Sequence, residues 1–480
     1  MQEKELQELV QKIVTTGYET SHIELKTASV DCPKRLYDTL SSFSNQDDGG
    51  TIIFGINEKS RFAIEGVYDA QDLQAKIVSQ CKEMEPVVRP HITITEIEGK
   101  SVVSAEISGI DIALRPCYYK GKGMFKGSYI RCGESDEPMT DYEIYSYEAF
   151  RKKYRDDIRT VSEDKPIIID NEKLQKYVSL CKKNKPNLSK LPEEQFNELM
   201  GITKDGRYTL SSVLLFSIYP QAYYPQLSII ATSVYGSEVG ELGPNGERFI
   251  DNKRIEGTID EMLEQAIKFV VNNMRVSTRI DSKSGKRDDI SEYPITAIRE
   301  IILNALVHRD YSIHTEGMPI QIIMYRDRLE VINPGGLYGR ISVDNLGKMQ
   351  PDTRNPAIAT ALETLELTEN RYSGIPTIRT EMLKAGLQLP KFETVRGEFK
   401  VTLYNELLKN KQGADLTQSI LDFCLVPRTR LEIAEFLGVT TPTYAIKKYI
   451  KPLIESGNIG MSNPDKNNSP TQTYFTIAYG

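Results

Sequence analysis

The sequence predicts an α+β chain of several domains, and three observations carry that prediction. Its 480 residues exceed what one hydrophobic core organises, so about two to four domains are expected. Helical and strand-type hydrophobic patterns alternate along the chain, separated by turn residues. The stretch from Tyr293 to Gly336 joins a helix pattern to two strand patterns and an abrupt Asn333-Pro334-Gly335-Gly336 end.

Composition narrows the function classes. A 39% hydrophobic content is enough for several cores, and no 18-residue apolar run is present to cross a membrane. Residues 1–14 are charged and helical in pattern, without the apolar centre of a signal peptide. The six cysteines form no C-x-x-C pair, and with only four scattered histidines the pattern argues against a zinc framework. Free thiols and a cytoplasmic location are therefore expected. A net charge of −7 argues against wholesale coating of nucleic acid and leaves room for local basic patches.

Taken in order, residues 3–14 read as a helix and His22-Ile23-Glu24-Leu25-Lys26 as a strand with His22, Glu24 and Lys26 on one face. LYDTLSSFSN is a helix with Leu36, Leu40 and Phe43 inward, and NQDDGG is a turn. TIIFGIN reads as one strand buried on both faces, with Asn57-Glu58 at its end. A helix over 69–84, a hairpin pivoting on Gly99 and a short strand within GSYIRCGESDEPMT complete the domain.

The order E-T-S-H-I-E-L-K, then S-S-F-S-N-x-x-x-G-G-T-I-I-F-G-I-N, Gly-Val, R-P and Y-I-R-x-G resembles the Schlafen AlbA-type domain over roughly residues 10–150. Members are described as DNA-binding in bacteria, and animal Schlafens include tRNA- and rRNA-cleaving nucleases. The resemblance implies a nuclease site at Glu19, Glu24 and Lys26, with Glu58 as the third acid. Glu19 and Glu24 would hold Mg²⁺ or Mn²⁺ to activate water, and the Lys26 ammonium would offset phosphorane charge. The alternative is a solvated strand face bearing an ordinary Glu24–Lys26 ion pair.

The charged, Pro-containing run at 156–170 sets the first boundary, giving domains 1–157, 158–410 and 411–480. Helices are expected over 171–183, 193–200 and 258–275, and a loop over 281–289. Tyr219, Tyr223 and Tyr224 are read as core and loop packing in preference to a base-stacking surface. In the helix that begins near Tyr293, Ile298, Ile301, Ile302, Ala305 and Leu306 recur at helical spacing. Glu300 and Asn304 share a face four residues apart, and His308 continues the row. Carboxylate and amide oxygens suit a hydrated Mg²⁺ bridging phosphates, and glycines let backbone N–H groups approach anions.

That Glu-x-x-x-Asn helix with Asn-Pro-Gly-Gly, Arg354-Asn355-Pro356 and the EFKVTLYN strand resembles the divergent GHKL-type ATPase module of RecG-like, regulator-type proteins over 293–404. The resemblance implies an α/β sandwich that binds ATP. Glu300 and Asn304 would stand at its metal-binding helix, with Asn304 as a ligand, and His308, Gly335 and Gly336 would line the pocket. Asn333 stands near the position where relatives carry the Asp that reads the adenine amino group, and Gly374 belongs to a reduced glycine motif at a helix start, a natural phosphate seat. Arg379 reads alternatively as an ion-pair partner on that helix's exposed face. No G-x-x-x-x-G-K-[ST] loop exists, which excludes a P-loop helicase.

The last seventy or so residues read as three helices and a β-wing, a winged helix whose third helix spans Thr443 to Ser456 after a stop at Gly438. Lys447, Lys448 and Lys451 would contact nucleic acid there, with a protein-binding winged helix as the alternative. The leading expectation is a nucleic-acid-binding (DNA or RNA), nucleotide-responsive regulator. The alternative is a metal-dependent ribonuclease. Homo-oligomerisation is expected from the habits of both module types.

Overall fold

A computed structural model of the protein describes residues 1–18, 20–161, 166–280, 287–343, 345–368, 373–395, 397–406, 414–425, 427–437, 442–462 and 472–477. Its contacts divide the chain into one unit of residues 1–154 with 338–340 and another of 155–337 with 341–480.

The first unit is built from helix α1 (Glu3–Thr16), strand β1 (Ile23–Lys26), helix α2 (Tyr37–Ser44), strand β2 (Gly50–Phe54), helix α3 (Ala70–Lys82) and strands β3 (His91–Ile97) and β4 (Lys100–Ile107). The sheet runs β1-β2-β4-β3, with β1 parallel to β2 and the remaining pairs antiparallel. A parallel neighbour needs a crossover, and α2 supplies it. Alternation along β2 sends Ile53 to a cluster with Leu6, Val10 and Ile13 of α1, while Ile52 and Phe54 join Leu36, Leu40 and Phe43 beside α2. Helices on both faces explain why every residue of β2 is buried.

Three local expectations change in this unit. The run TIIFGIN breaks at Gly55, whose φ of +100° turns the chain, and Ile56-Asn57 pairs with Ala63-Ile64 instead. The single short strand expected near 130 is a hairpin, β5 (Tyr129–Cys132) with β6 (Ser135–Pro138). A helix the sequence reading missed, α4 (Asp141–Lys152), follows it. Its start carries a reciprocal Thr140–Glu143 capping box, a signal present in the sequence.

The second unit contains α5 (Asn171–Asn184), α6 (Leu210–Phe216), β7 (Ile229–Ser233), β8 (Asp251–Ile255), α7 (Ile259–Asn273), α8 (Ile295–His308), β9 (Ile320–Met324), β10 (Arg328–Pro334), α9 (Pro356–Thr364), α10 (Gly374–Lys384), β11 (Lys391–Val395) and β12 (Glu398–Tyr404). Six strands form a sheet in the order β8-β7-β9-β10-β12-β11, with β7 parallel to β9 and the other pairs antiparallel. Helices α7, α8 and α10 share one apolar cluster with that sheet; Ile298, Ile301, Ile302 and Ile378 meet Ile322, Val331 and Val401 there. Of the expected loop over 281–289, residues 287–289 are strand, in a ribbon pairing Val276–Ile280 with Arg287–Ser291, and 281–286 lie outside the described residues. Tyr219 is exposed and bonds Glu256, Tyr223 bonds the Pro166 carbonyl, and Tyr224 is buried.

Beyond residue 413 the order is helix α11 (Ala414–Phe423), strand β13 (Arg428–Thr429), helix α12 (Arg430–Phe436), a further helical stretch, and strands β14 (Ile459–Met461) and β15 (Thr473–Thr476). The three strands form an antiparallel sheet with β15 in the middle, over a cluster of Ile420, Phe423, Ile433, Phe436, Ile450 and Tyr474. The helical stretch is not the single regular helix expected. Pro442–Ala445 is α-helical, Ile446–Ile450 is a π turn, and Lys451–Glu455 is α-helical again. Pro452 has no N–H for the carbonyl one turn back and its ring crowds it, so the backbone widens immediately before it. The stop expected at Gly438 lies outside the described residues. Among the described residues no helix is long and apolar enough to cross a membrane.

Candidate nucleotide and nucleic-acid sites

Strand β1 places Glu24 and Lys26 on the face opposite the buried Ile23 and Leu25, as strand alternation requires. The Lys26 ammonium lies 2.6 Å from the Glu24 carboxylate. The other Glu24 oxygen is 3.0 Å from Arg131, which also holds Asp136 at 2.9 Å, and the Arg131 side chain is only 1% exposed. Asp136 accepts hydrogen bonds from Thr39 and Ser42 of α2. Burial works against the Arg131 charge, but the hydrogen bond and charge of Asp136, joined by Glu24, outweigh it and raise its pKa. Glu24 thus sits in a network of two cations and two carboxylates, with Glu24 and Lys26 from β1, hydroxyls from α2, and Arg131 and Asp136 from the β5–β6 hairpin.

Glu58 is exposed on a short turn after Asn57, whose amide bonds Glu65. Glu19 lies outside the described residues. Among the described residues no three acidic, histidine or cysteine groups converge as a metal site. With its two oxygens facing Lys26 and Arg131, Glu24 is paired among the described residues with cations of the chain itself. Arg131 and Asp136 were not singled out from the sequence. Arg131 sits in the Y-I-R motif, so its residue type was visible and its partner was not.

In the second unit, α8 presents Glu300 and Asn304, both half-buried, on the side facing α10. Gly374, the first residue of α10, packs directly against them. A Cβ at Gly374 would stand 2.9 Å from the Glu300 carboxylate and 3.1 Å from the Asn304 amide nitrogen. The carboxylate therefore lies at a helix N-terminus, where backbone dipoles favour negative charge. His308, one turn beyond Asn304, is exposed at the end of α8.

Asn333, near the end of β10, is 5% exposed, and among the described residues its side-chain oxygen has no hydrogen-bond partner. A buried acceptor left unpaired is uncommon and marks a place where a donor fits. Next to it, Gly335 has φ +98°, and a Cβ there would run into Arg354 and Asp310. Arg354 pairs with Asp310 at 3.4 Å and donates to the Gly336 carbonyl at 3.1 Å. Asn355 donates to the carbonyls of Val307 and Arg309, tying the start of α9 to the end of α8. Gly335 thus does more than close a turn: it lets the chain at the end of β10 pass close to Asp310 and Arg354. Asp310, Arg354 and Asn355 were missed as site-shaping residues, because their partners are distant in sequence.

The orphan acceptor at Asn333 suits an exocyclic amino group, and the oxygens of Glu300 and Asn304 beside a glycine-started helix suit Mg²⁺ and phosphate. The residues present therefore fit a magnesium nucleotide. Arg379, expected on an exposed face, is half-buried; it donates to the Leu346 carbonyl at 3.1 Å and lies 5.4 Å from the Phe392 ring centre. In the C-terminal part Lys447, Lys448 and Lys451 are all exposed. Lys448 stands over the rings of Tyr444 and Tyr449, and Lys451 lies 3.7 Å from Glu455.

Fold and sites together define a mixed α/β chain with an AlbA-type domain followed by an ATPase-type domain. Residues 19–140 match the family described as Schlafen, AlbA_2, and residues 317–403 match the family described as "Putative ATP-dependent DNA helicase recG C-terminal". The chain thus carries a Schlafen AlbA_2 domain and a RecG-like C-terminal ATPase-type domain. The second match begins after α8, so it does not include Glu300 or Asn304. Among solved structures, the DIP2311 protein of Corynebacterium diphtheriae is 18% identical over 95% of this chain and 93% of that one, with a TM-score of 0.39. The N-terminal domain of a RecG-related protein from Nitrosomonas europaea is 27% identical over 28% of this chain and 92% of that one, with a TM-score of 0.23. No curated protein matches the chain.

Proposed function

We propose that this protein is a nucleic-acid-binding regulator whose ATPase-type domain binds adenine nucleotide. The observation that carries the nucleotide half is the packing of Gly374 against Glu300 and Asn304. Asn333 would accept from the adenine amino group, and Glu300 and Asn304 would hold the magnesium. The N-terminus of α10 would face phosphate. Bound magnesium would supply charge neutralisation for the phosphates. Gly335 and Gly336 would shape the pocket wall through Asp310 and Arg354, and His308 would stand at its mouth.

The linking residues supply a route for response. Asp157, fully buried, accepts from the Ala357 N–H at 2.6 Å and so caps α9; Arg354 and Asn355, just before that helix, reach Gly336 and the end of α8. Ligand at the pocket would bias that connected set of contacts. Isothermal titration with Mg·ATP and Mg·ADP tests the reading: micromolar or tighter binding lost in Asn304→Ala supports it, and absent heat for both nucleotides overturns it.

The C-terminal order of helices and strands supports a winged helix that presents Lys447, Lys448 and Lys451 to nucleic acid. The ribonuclease alternative, with Glu19, Glu24, Lys26 and Glu58 around Mg²⁺ or Mn²⁺, is tested by incubating tRNA with Mn²⁺ and the wild-type or Glu24→Ala protein. The ion pairs of Glu24 with Lys26 and Arg131 favour a structural role over cleavage, so no mutant-sensitive cleavage is expected. A cytoplasmic site of action and self-association belong to the same proposal.

A further inference from the structure

Between Asp111 and Glu134 the chain carries Arg115, Lys120, Lys122, Lys126 and Arg131 and no acidic residue, although the whole protein is acidic. Arg115 and Arg131 are buried in ion pairs with Asp47 and with Glu24 and Asp136. The three lysines are exposed on the short turn that follows Tyr119. That turn lies against the start of α2. Tyr37 stacks on Tyr119 with ring centres 4.5 Å apart, and Lys122 and Arg35 stand 4.8 and 5.2 Å from the Tyr37 ring centre. Both cations are therefore held along an aromatic ring, while their charged ends stay in water.

Arg35 pairs with Asp38 at 3.0 Å and Lys120 with Glu85 at 3.5 Å. Among the described residues no carboxylate lies within ion-pair distance of Lys34, Lys122 or Lys126, so positive charge is in excess here. Phe125, in the middle of this turn, is 62% exposed. An apolar ring held out to water among uncompensated cations has a use where a planar base stacks and a phosphate chain runs alongside. A duplex keeps its bases stacked internally and would leave that ring unused. The Tyr37 end of α2 continues through Thr39 and Asp136 to Arg131 and Glu24.

We propose that Lys34, Arg35, Lys122, Phe125 and Lys126 form a single-stranded nucleic-acid surface on the AlbA-type domain, with Phe125 stacking on a base and the cations tracking phosphates. The assignment rests on the nucleic-acid half of the function proposed above and names its site. Fluorescence anisotropy of the full chain tests it, with labelled oligouridine RNA, oligothymidine DNA and a DNA duplex, each about 20 nucleotides long. Lys122→Glu with Lys126→Glu should weaken single-strand binding about tenfold or more and lower the salt-dependence slope by about 2. Phe125→Ala should weaken it about tenfold and leave duplex binding unchanged. Lys12→Glu, on an exposed face of α1, should change nothing, and matched thermal melts exclude misfolding.

The RNA and DNA arms identify which backbone is preferred. Single-strand binding by the wild type that survives in all patch variants, or is lost only in Lys447→Glu with Lys448→Glu, overturns this surface and leaves the wider reading standing. Failure of the wild type to bind any probe overturns both.

Discussion

Glu24 and Glu300 are the same residue type in two settings, and the contrast teaches what each can do. Glu24 faces an ammonium at 2.6 Å and a buried guanidinium at 3.0 Å, both fixed by the fold of its own domain. Glu300 lies beside the Asn304 amide and the first residue of a helix, Gly374. A carboxylate locked to two cations is part of the architecture. One seated at a helix start with an amide neighbour is suited to exchange partners when a metal–phosphate group arrives.

The largest effect expected from this contrast is at Arg131. Arg131→Ala leaves Glu24 and Asp136 without their shared buried cation and should destabilise the first unit by about 3–5 kcal/mol, read by thermal or urea unfolding. A loss below about 1 kcal/mol would show that the network is solvated and that Glu24 is available for other chemistry.

Next is Asn304→Ala, which should cut Mg·nucleotide affinity about 10- to 100-fold, measured by titration calorimetry, while unfolding stays near wild type. Asn333→Leu sharpens the same pocket in the opposite sense. Removing a buried acceptor that has no partner should stabilise the apo protein by about 1 kcal/mol in urea unfolding and weaken nucleotide binding. If Asn333→Leu instead destabilises, the side chain is bonded in the folded protein and does not await a ligand.

Gly374→Ala should cost less than about 1 kcal/mol of stability, because the gain in helix propensity offsets crowding of a flexible carboxylate. It should still lower nucleotide affinity by moving Glu300. The smallest effect is at Glu58: Glu58→Gln, exposed on its turn, should leave stability within about 0.5 kcal/mol. A large loss of any RNA-cleaving activity in Glu58→Gln would reverse the contrast and put catalysis on the first unit.

Much of the fold was legible because it rests on local periodicity. Leu36, Leu40 and Phe43 repeat at helical spacing and are fully buried, and Gly99 closes the hairpin with a φ of +75°. The interruptions were harder to read. Gly55 looks like one more residue in an apolar strand until Ile56 finds Ile64, and α4 was passed over although Thr140 and Glu143 signalled its start. Pro452 announced trouble inside a helix, yet whether the chain breaks, kinks or widens depends on the core it must keep covering.

By itself the sequence determined most of the regular helices and strands, the two domain classes and the shared face of Glu300 and Asn304, since four-residue spacing on a helix puts two side chains on one face. Only the tertiary structure decided that Arg131 and Asp136 belong with Glu24, that Gly374 belongs with Glu300, and that Arg354 crosses over Gly335. These partners are separated by tens to more than a hundred residues. Chain periodicity carries no information about such distances, which are set when helices and sheets pack and bury their common faces.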